Sequence, residues 1–109
     1  MRRNKRARLE AHGWRVGDAA NFLALTAEEA ALVETKLALS GSVRDRRMAQ
    51  GLSQAELAKR LKSSQSRIAK VEAADPTVSA DLLLRALFAL GATPGDVASA
   101  IRKRRKVAV

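Results

Sequence analysis

Four polar residues in the middle of the chain are of the types that read the edges of nucleic-acid bases. They are Gln65, Ser66, Arg67 and Lys70, within the run GLSQAELAKRLKSSQSRIAKVE that spans Gly51 to Glu72. A glutamine amide can bond adenine bidentately, arginine or lysine can bond the acceptors of guanine, serine can bond either purine, and the methyl of Ala69 can lie against a thymine methyl. Such groups read a sequence only if a rigid element presents them together on one side. Ile68 and Val71 interleave with them at helical spacing, so the stretch has one side to bury and one to show. Ser64, just ahead, is a residue of the type that caps a helix N-terminus.

A second short helix must hold that one in place. Ser53 followed three residues later by Glu56 is a capping box. Leu57, Ala58 and Leu61 then supply a narrow apolar face. Lys62 and Ser63 leave room only for a tight corner between the two helices. Two short capped helices joined by so few residues form a helix-turn-helix. Gln54 and Ser64 stand at helix N-termini and Lys62 at the corner, positions suited to phosphate contacts that orient a duplex without reading it.

The segment resembles the lambda-repressor-like DNA-binding family, also called the Xre or Cro/cI type. The resemblance rests on Gln54, Ala58 where the two helices cross, Ile68, Val71, Glu72 and, upstream, Arg47, and it runs from about Val43 to Leu90. It implies an all-α, five-helix domain with an ion pair between Arg47 and Glu72. The sequence supplies its own reason for that pair: Arg47 continues the stripe of Val43 by one helical turn, and Glu72 directly follows the inward Val71. The chain departs from the family pattern at Lys62, where glycine is usual. A left-handed backbone there costs a non-glycine residue on the order of 1 kcal/mol.

Composition points the same way. The chain has 109 residues, enough for one helical core, and its apolar fraction of 47% is too high for a disordered chain. Aromatic residues make up only 3%, which with abundant Ala and Leu favours helices over a sheet. A formal net charge of +10 attracts polyanions, nucleic acid first and an anionic membrane surface second. No apolar run approaches the roughly 18 residues of a membrane span, and the Arg-rich start has no apolar stretch behind it to serve as a signal peptide. With no cysteine, there is no disulfide framework or Cys-based metal site, in keeping with a cytoplasmic location.

The charge gathers at the ends. Arg2, Arg3, Lys5, Arg6 and Arg8 open the chain, and Arg102, Lys103, Arg104, Arg105 and Lys106 nearly close it. Both blocks read as solvated basic arms, either of which could track phosphates beside the base-reading helix.

Residues 1–30 divide off as the first arm and a helical N-terminal extension, residues 31–101 as the helix-turn-helix domain, and residues 102–109 as a basic tail. In the extension Asp18 can cap a short helix through Leu25. Trp14, Val16, Phe22 and Leu23 form an apolar cluster that packs on the chain's own long helix or a dimer mate, or else docks another protein. His12, beside Gly13, reads as solvent-facing. Thr26 with Glu29 makes a second capping box, opening a long helix through about Ala49 that Gly41 could bend or break. Beyond the base-reading helix, Asp75-Pro76 marks a turn and Ser79 caps a nearly all-round apolar helix, expected to be the most buried element, that ends at Gly91. Thr93 and Pro94 open the last helix, whose inner face is Val97 and Ile101 and whose outer face could pair two subunits.

One histidine, no cysteine, no tyrosine and no glycine-rich phosphate loop leave no nucleophile with its base and no metal site, so neither an enzyme nor a cofactor is expected. The expectation is therefore a sequence-specific binder of double-stranded DNA, acting as a homodimer on an inverted-repeat operator and regulating transcription, as a repressor. The whole chain also resembles small Xre-type antitoxins encoded beside RelE/HigB-like toxins, which implies a toxin partner. Two alternatives stand beside it: a stand-alone or phage-type repressor, and a basic helical protein that binds RNA or an anionic membrane by charge alone.

Overall fold

The computed structural model describes residues 25–108, with side chains through Arg104. The expected short helix after Asp18, the cluster of Trp14, Val16, Phe22 and Leu23, His12 and the first basic arm lie outside the described residues. The described chain forms five helices and no strand: α1 Ala27–Ala49, α2 Gln54–Arg60, α3 Gln65–Glu72, α4 Ala80–Ala89 and α5 Pro94–Ala108.

Each helix starts where a hydroxyl can accept an orphan N–H. Thr26 accepts from the Glu29 amide at 3.1 Å and Ser53 from that of Glu56 at 3.0 Å, and both glutamates return a bond to the cap backbone. Ser64 caps α3 through the Arg67 amide and Ser79 caps α4 through that of Leu82. At α5 the reciprocal partner is an aspartate: Asp96 bonds the Thr93 amide at 2.9 Å while the Thr93 hydroxyl accepts from the Asp96 amide. These caps hold the Glu56 and Asp96 carboxylates below the usual range, chiefly through the backbone bond each receives.

The first four helices all end in one motif. The amide two residues past each C-cap reaches back to the carbonyl five residues earlier: Leu52 to Arg47 at 3.1 Å, Ser63 to Ala58 at 2.8 Å, Asp75 to Lys70 at 3.1 Å and Ala92 to Leu87 at 3.0 Å. The motif places the residue just past the C-cap in the left-handed region. Gly51 and Gly91 fill that position at the ends of α1 and α4, with φ of 69° and 87°, but Lys62 and Ala74 fill it at φ of 53° and 58°. The cost foreseen at Lys62 is therefore incurred twice, at both ends of α3. Lys62→Gly and Ala74→Gly are each expected to raise stability by about 0.5 to 1 kcal/mol in urea melts, the relieved strain exceeding the entropy that glycine adds to the unfolded chain. A loss of stability in both would contradict this.

Packing follows the apolar stripes. Leu39 and Val43 of α1, Leu57 and Ala58 of α2, Ile68 and Val71 of α3 and Leu83, Ala86 and Leu87 of α4 make one core, closed by Val78, Leu90 and Ala92. Val97 and Ile101 of α5 pack against it partly buried. Leu57, Ile68, Leu83 and Leu87 are essentially inaccessible, each contributing about 1.5 to 3 kcal/mol through burial. Polar ties join distant segments: Lys36 Nζ donates to the Pro76 carbonyl at 3.2 Å, Gln50 Nε2 to that of Leu90 at 2.7 Å, and Arg46 meets Asp96 at 3.2 Å.

Three expectations change. Gly41 is exposed within an unbroken α1, because its neighbours on both sides continue the helix and the turn loses no partner. Phe88 is half exposed: α4 buries Leu83, Ala86 and Leu87 and packs Leu82, Leu84 and Ala89 partly against the core, leaving this ring on the remaining side. The basic tail from Arg102 is helical through Ala108. No glycine or proline follows Ile101 to stop α5, Arg and Lys are good helix formers, and cations favour a helix C-terminus.

Candidate nucleic-acid interface

The interface is built on α3, which α2 and α1 hold against the body. Ile68 and Val71 point into the core with no accessible surface, fixing the rotation of the helix about its axis. Gln65, Ser66, Arg67 and Lys70 are consequently exposed together on its other side. Ala69 is half-buried between the two faces, so of the five outward residues expected from the spacing it alone turns partly inward. Ser64 donates no base reader but organises the first turn: its Oγ accepts the Arg67 amide and lies 3.2 Å from the Ser66 Oγ.

The outward face of α3 borders a notch of about 260 Å³ lined by Ser64, Ser66, Arg67 and Lys70 on one side and Thr77, Val78 and Leu82 on the other. Thr77 was not legible as part of this surface, because the sequence shows only an Asp-Pro turn. Asp75 builds it: its Oδ1 accepts the Thr77 amide at 2.8 Å and the Thr77 hydroxyl at 2.6 Å, and these bonds lower the Asp75 carboxyl below its ordinary range. The turn thereby sets a hydroxyl-bearing residue across from Lys70.

Beneath α3 lies the ion pair. Arg47 donates from Nε and Nη2 to the two oxygens of Glu72, at 2.5 and 2.9 Å, and from Nη1 to the Leu52 carbonyl at 2.7 Å. The fork ties the end of α1 to the end of α3 and to the α1–α2 corner. Glu72's side chain is 5% accessible and Arg47's 14%, so both are largely dry. Burial alone would push the Glu72 carboxyl up, but the bonds from Arg47 and Gln54, with the arginine charges nearby, together hold it below the usual range. The bond to Glu72 in turn raises the Arg47 guanidinium.

Gln54 is placed differently from a free phosphate ligand. Its Nε2 donates to Glu72 Oε1 at 3.2 Å, so one N–H is committed to the buried pair and the amide is oriented by it. Ser64 and Lys62 are exposed at the corner beside the first turn of α3. The three residues expected on phosphates therefore lie beside the exposed face of α3, with Gln54 also serving the structure.

A short, exposed, polar-faced helix seated on a capped partner across a tight corner defines a helix-turn-helix module, the architecture that presents one helix to a DNA groove. The helix-turn-helix domain family model matches residues 38–100, more than half of the chain, and the chain belongs to that family. Comparison with curated proteins and with solved structures finds no match. Among the described residues no helix is long and apolar enough to cross a membrane.

Proposed function

We propose that the chain is a sequence-specific, double-stranded-DNA-binding transcriptional regulator of the Xre or Cro/cI type that acts as a homodimeric repressor and not as an enzyme. The observation that carries this reading is the division of α3 into a fully buried side at Ile68 and Val71 and an exposed side at Gln65, Ser66, Arg67 and Lys70. Gln65 and Lys70 read base edges in the major groove, Ser66 and Arg67 complete the set, and Gln54, Lys62 and Ser64 set the register on phosphates. Two such helices one duplex turn apart read an inverted repeat with half-sites about 10 bp apart. In this reading residues 31–101 are the DNA-binding unit, working in the cytoplasm.

The resemblance to small antitoxins supports a narrower version, in which a toxin bound by this chain controls a shared operon. Charge-only binding to RNA or membrane is the competing reading, since the net charge of +10 favours any polyanion. Selection from randomised duplexes at physiological salt with competitor DNA separates them. The proposal expects an inverted-repeat consensus, and Gln65→Ala or Lys70→Ala should cost about 1 to 3 kcal/mol and relax preference at particular base pairs. Enrichment of no sequence, with affinity falling alike for all polyanions as salt rises, would favour the charge-only reading.

A further inference from the structure

The first half of α1 and the α3–α4 turn enclose a groove of about 200 Å³ that no side chain of the described residues fills. Its walls are mostly apolar, Leu25, Leu32, Val33, Leu37, Pro76 and Leu83 among them, beside the polar Glu29, Lys36, Ser40 and Asp75. Leu83 at its floor is buried, whereas Leu32 on its rim is 53% exposed, an unusual place for a leucine on a helix this polar. The Lys36 bond to the Pro76 carbonyl pins the two walls together, so the groove is a fixed feature of the fold.

We propose that this groove is the seat of the chain's own apolar segment from Trp14 to Leu23. Leu25, the residue just upstream of the α1 cap, already lines the groove, so the chain that precedes it is joined to the groove's own wall. At no more than about 3.6 Å per residue, the Cα atoms of Leu23 and Phe22 must lie within roughly 7 and 11 Å of that of Leu25. They are two large apolar residues placed by covalent geometry beside an apolar hollow. The sizes agree as well, because an apolar cavity of about 150 Å³ takes a benzene ring, so the groove accommodates the Phe22 ring with part of the Leu23 side chain. Trp14 and Val16 follow as the cover over Leu32. Tethering favours this occupant over a second copy: a short flexible link gives an effective concentration in the millimolar range, and each copy carries its own segment at its own groove. The consequence is that the N-terminal segment is docked to the wall that also supports the Asp75–Thr77 turn beside the base-reading helix.

Trp14 is the single tryptophan of the chain, so its fluorescence reports the docking without a label. In the full chain its emission should be blue-shifted and poorly quenched by acrylamide. Leu32→Glu should shift the emission to the red and raise quenching toward that of free tryptophan amide, while far-UV circular dichroism stays that of the parent, since Leu32 lies outside the core. Nuclear Overhauser effects should join the Phe22 ring to the Leu32 and Leu83 methyls. In an isotope-filtered mixture of labelled and unlabelled chains these effects should be intramolecular. Any of three results would overturn the proposal: a solvent-exposed Trp14 in the parent, fluorescence indifferent to Leu32→Glu, or contacts that arise only between chains.

Discussion

Arg47→Ala is expected to destabilise the domain by about 3 to 5 kcal/mol at neutral pH, the usual cost of leaving one member of a buried pair alone. For a domain whose total stability is on the order of 5 to 15 kcal/mol, that is a large fraction of the whole. The accessibilities give the two single variants an order. Arg47→Ala strands a carboxylate that is 5% accessible and leaves the Leu52 carbonyl without its 2.7 Å donor, whereas Glu72→Ala leaves an arginine that is 14% accessible and still bonded to Leu52. Arg47→Ala should therefore be the worse of the two, and an apolar double replacement such as Arg47→Met with Glu72→Leu should be milder than either.

The sign of the pH dependence follows from the same contacts. In the parent, Glu72 has a lowered pKa, so its contribution is fully present above the ordinary carboxylate value of about 4.5 and is lost as pH falls through the depressed value. In Arg47→Ala the two arginine bonds are gone and burial pushes Glu72 up, so the penalty of that variant should shrink on acidification. Urea melts at neutral pH and at about pH 4 measure both effects. Single variants within about 0.5 kcal/mol of the parent would mean that the pair acts as a surface pair.

Ile68→Ala is the second large effect, with an expected loss of about 2 to 5 kcal/mol because the side chain is fully buried and its removal leaves a cavity under α3. Its effect on binding should be indirect. At low temperature, with the variant still folded, affinity per folded molecule should stay close to that of the parent, whereas Lys70→Ala should keep the parent melting temperature and lose affinity. A stability loss below about 1 kcal/mol for Ile68→Ala would mean that α3 is not seated as described.

The starts of the helices were the most legible part of the chain. Thr26, Ser53, Ser64, Ser79 and Thr93 accept backbone N–H groups at five helix starts, and each capping hydroxyl is a local chemical signal needing no knowledge of the fold. Ends were less so. Gly51 and Gly91 announce theirs, but Ala74 takes a left-handed conformation that alanine does not advertise, and α5 runs on because nothing in RKRRKVA tells it to stop. The inward and outward faces of α3 could be read from the spacing of Ile68 and Val71. Apart from the Arg47–Glu72 pair, which the resemblance implied, non-local features could not: Lys36 and Pro76, like Gln50 and Leu90, meet across a separation of 40 residues, and Thr77 borders the outward face of α3 only because the Asp75 turn folds it there. Gln54 shows the same limit, since its bond to Glu72 depends on the crossing of two helices.

Base reading by α3 is tested most directly by the duplex selection repeated with Lys70→Ala and with Gln54→Ala beside the parent. Lys70→Ala should keep the parent consensus except at one base pair in each half-site, where preference relaxes with a loss of about 1 to 3 kcal/mol, while Gln54→Ala should weaken every sequence alike. A uniform loss across all positions for Lys70→Ala, with the consensus unchanged, would contradict it.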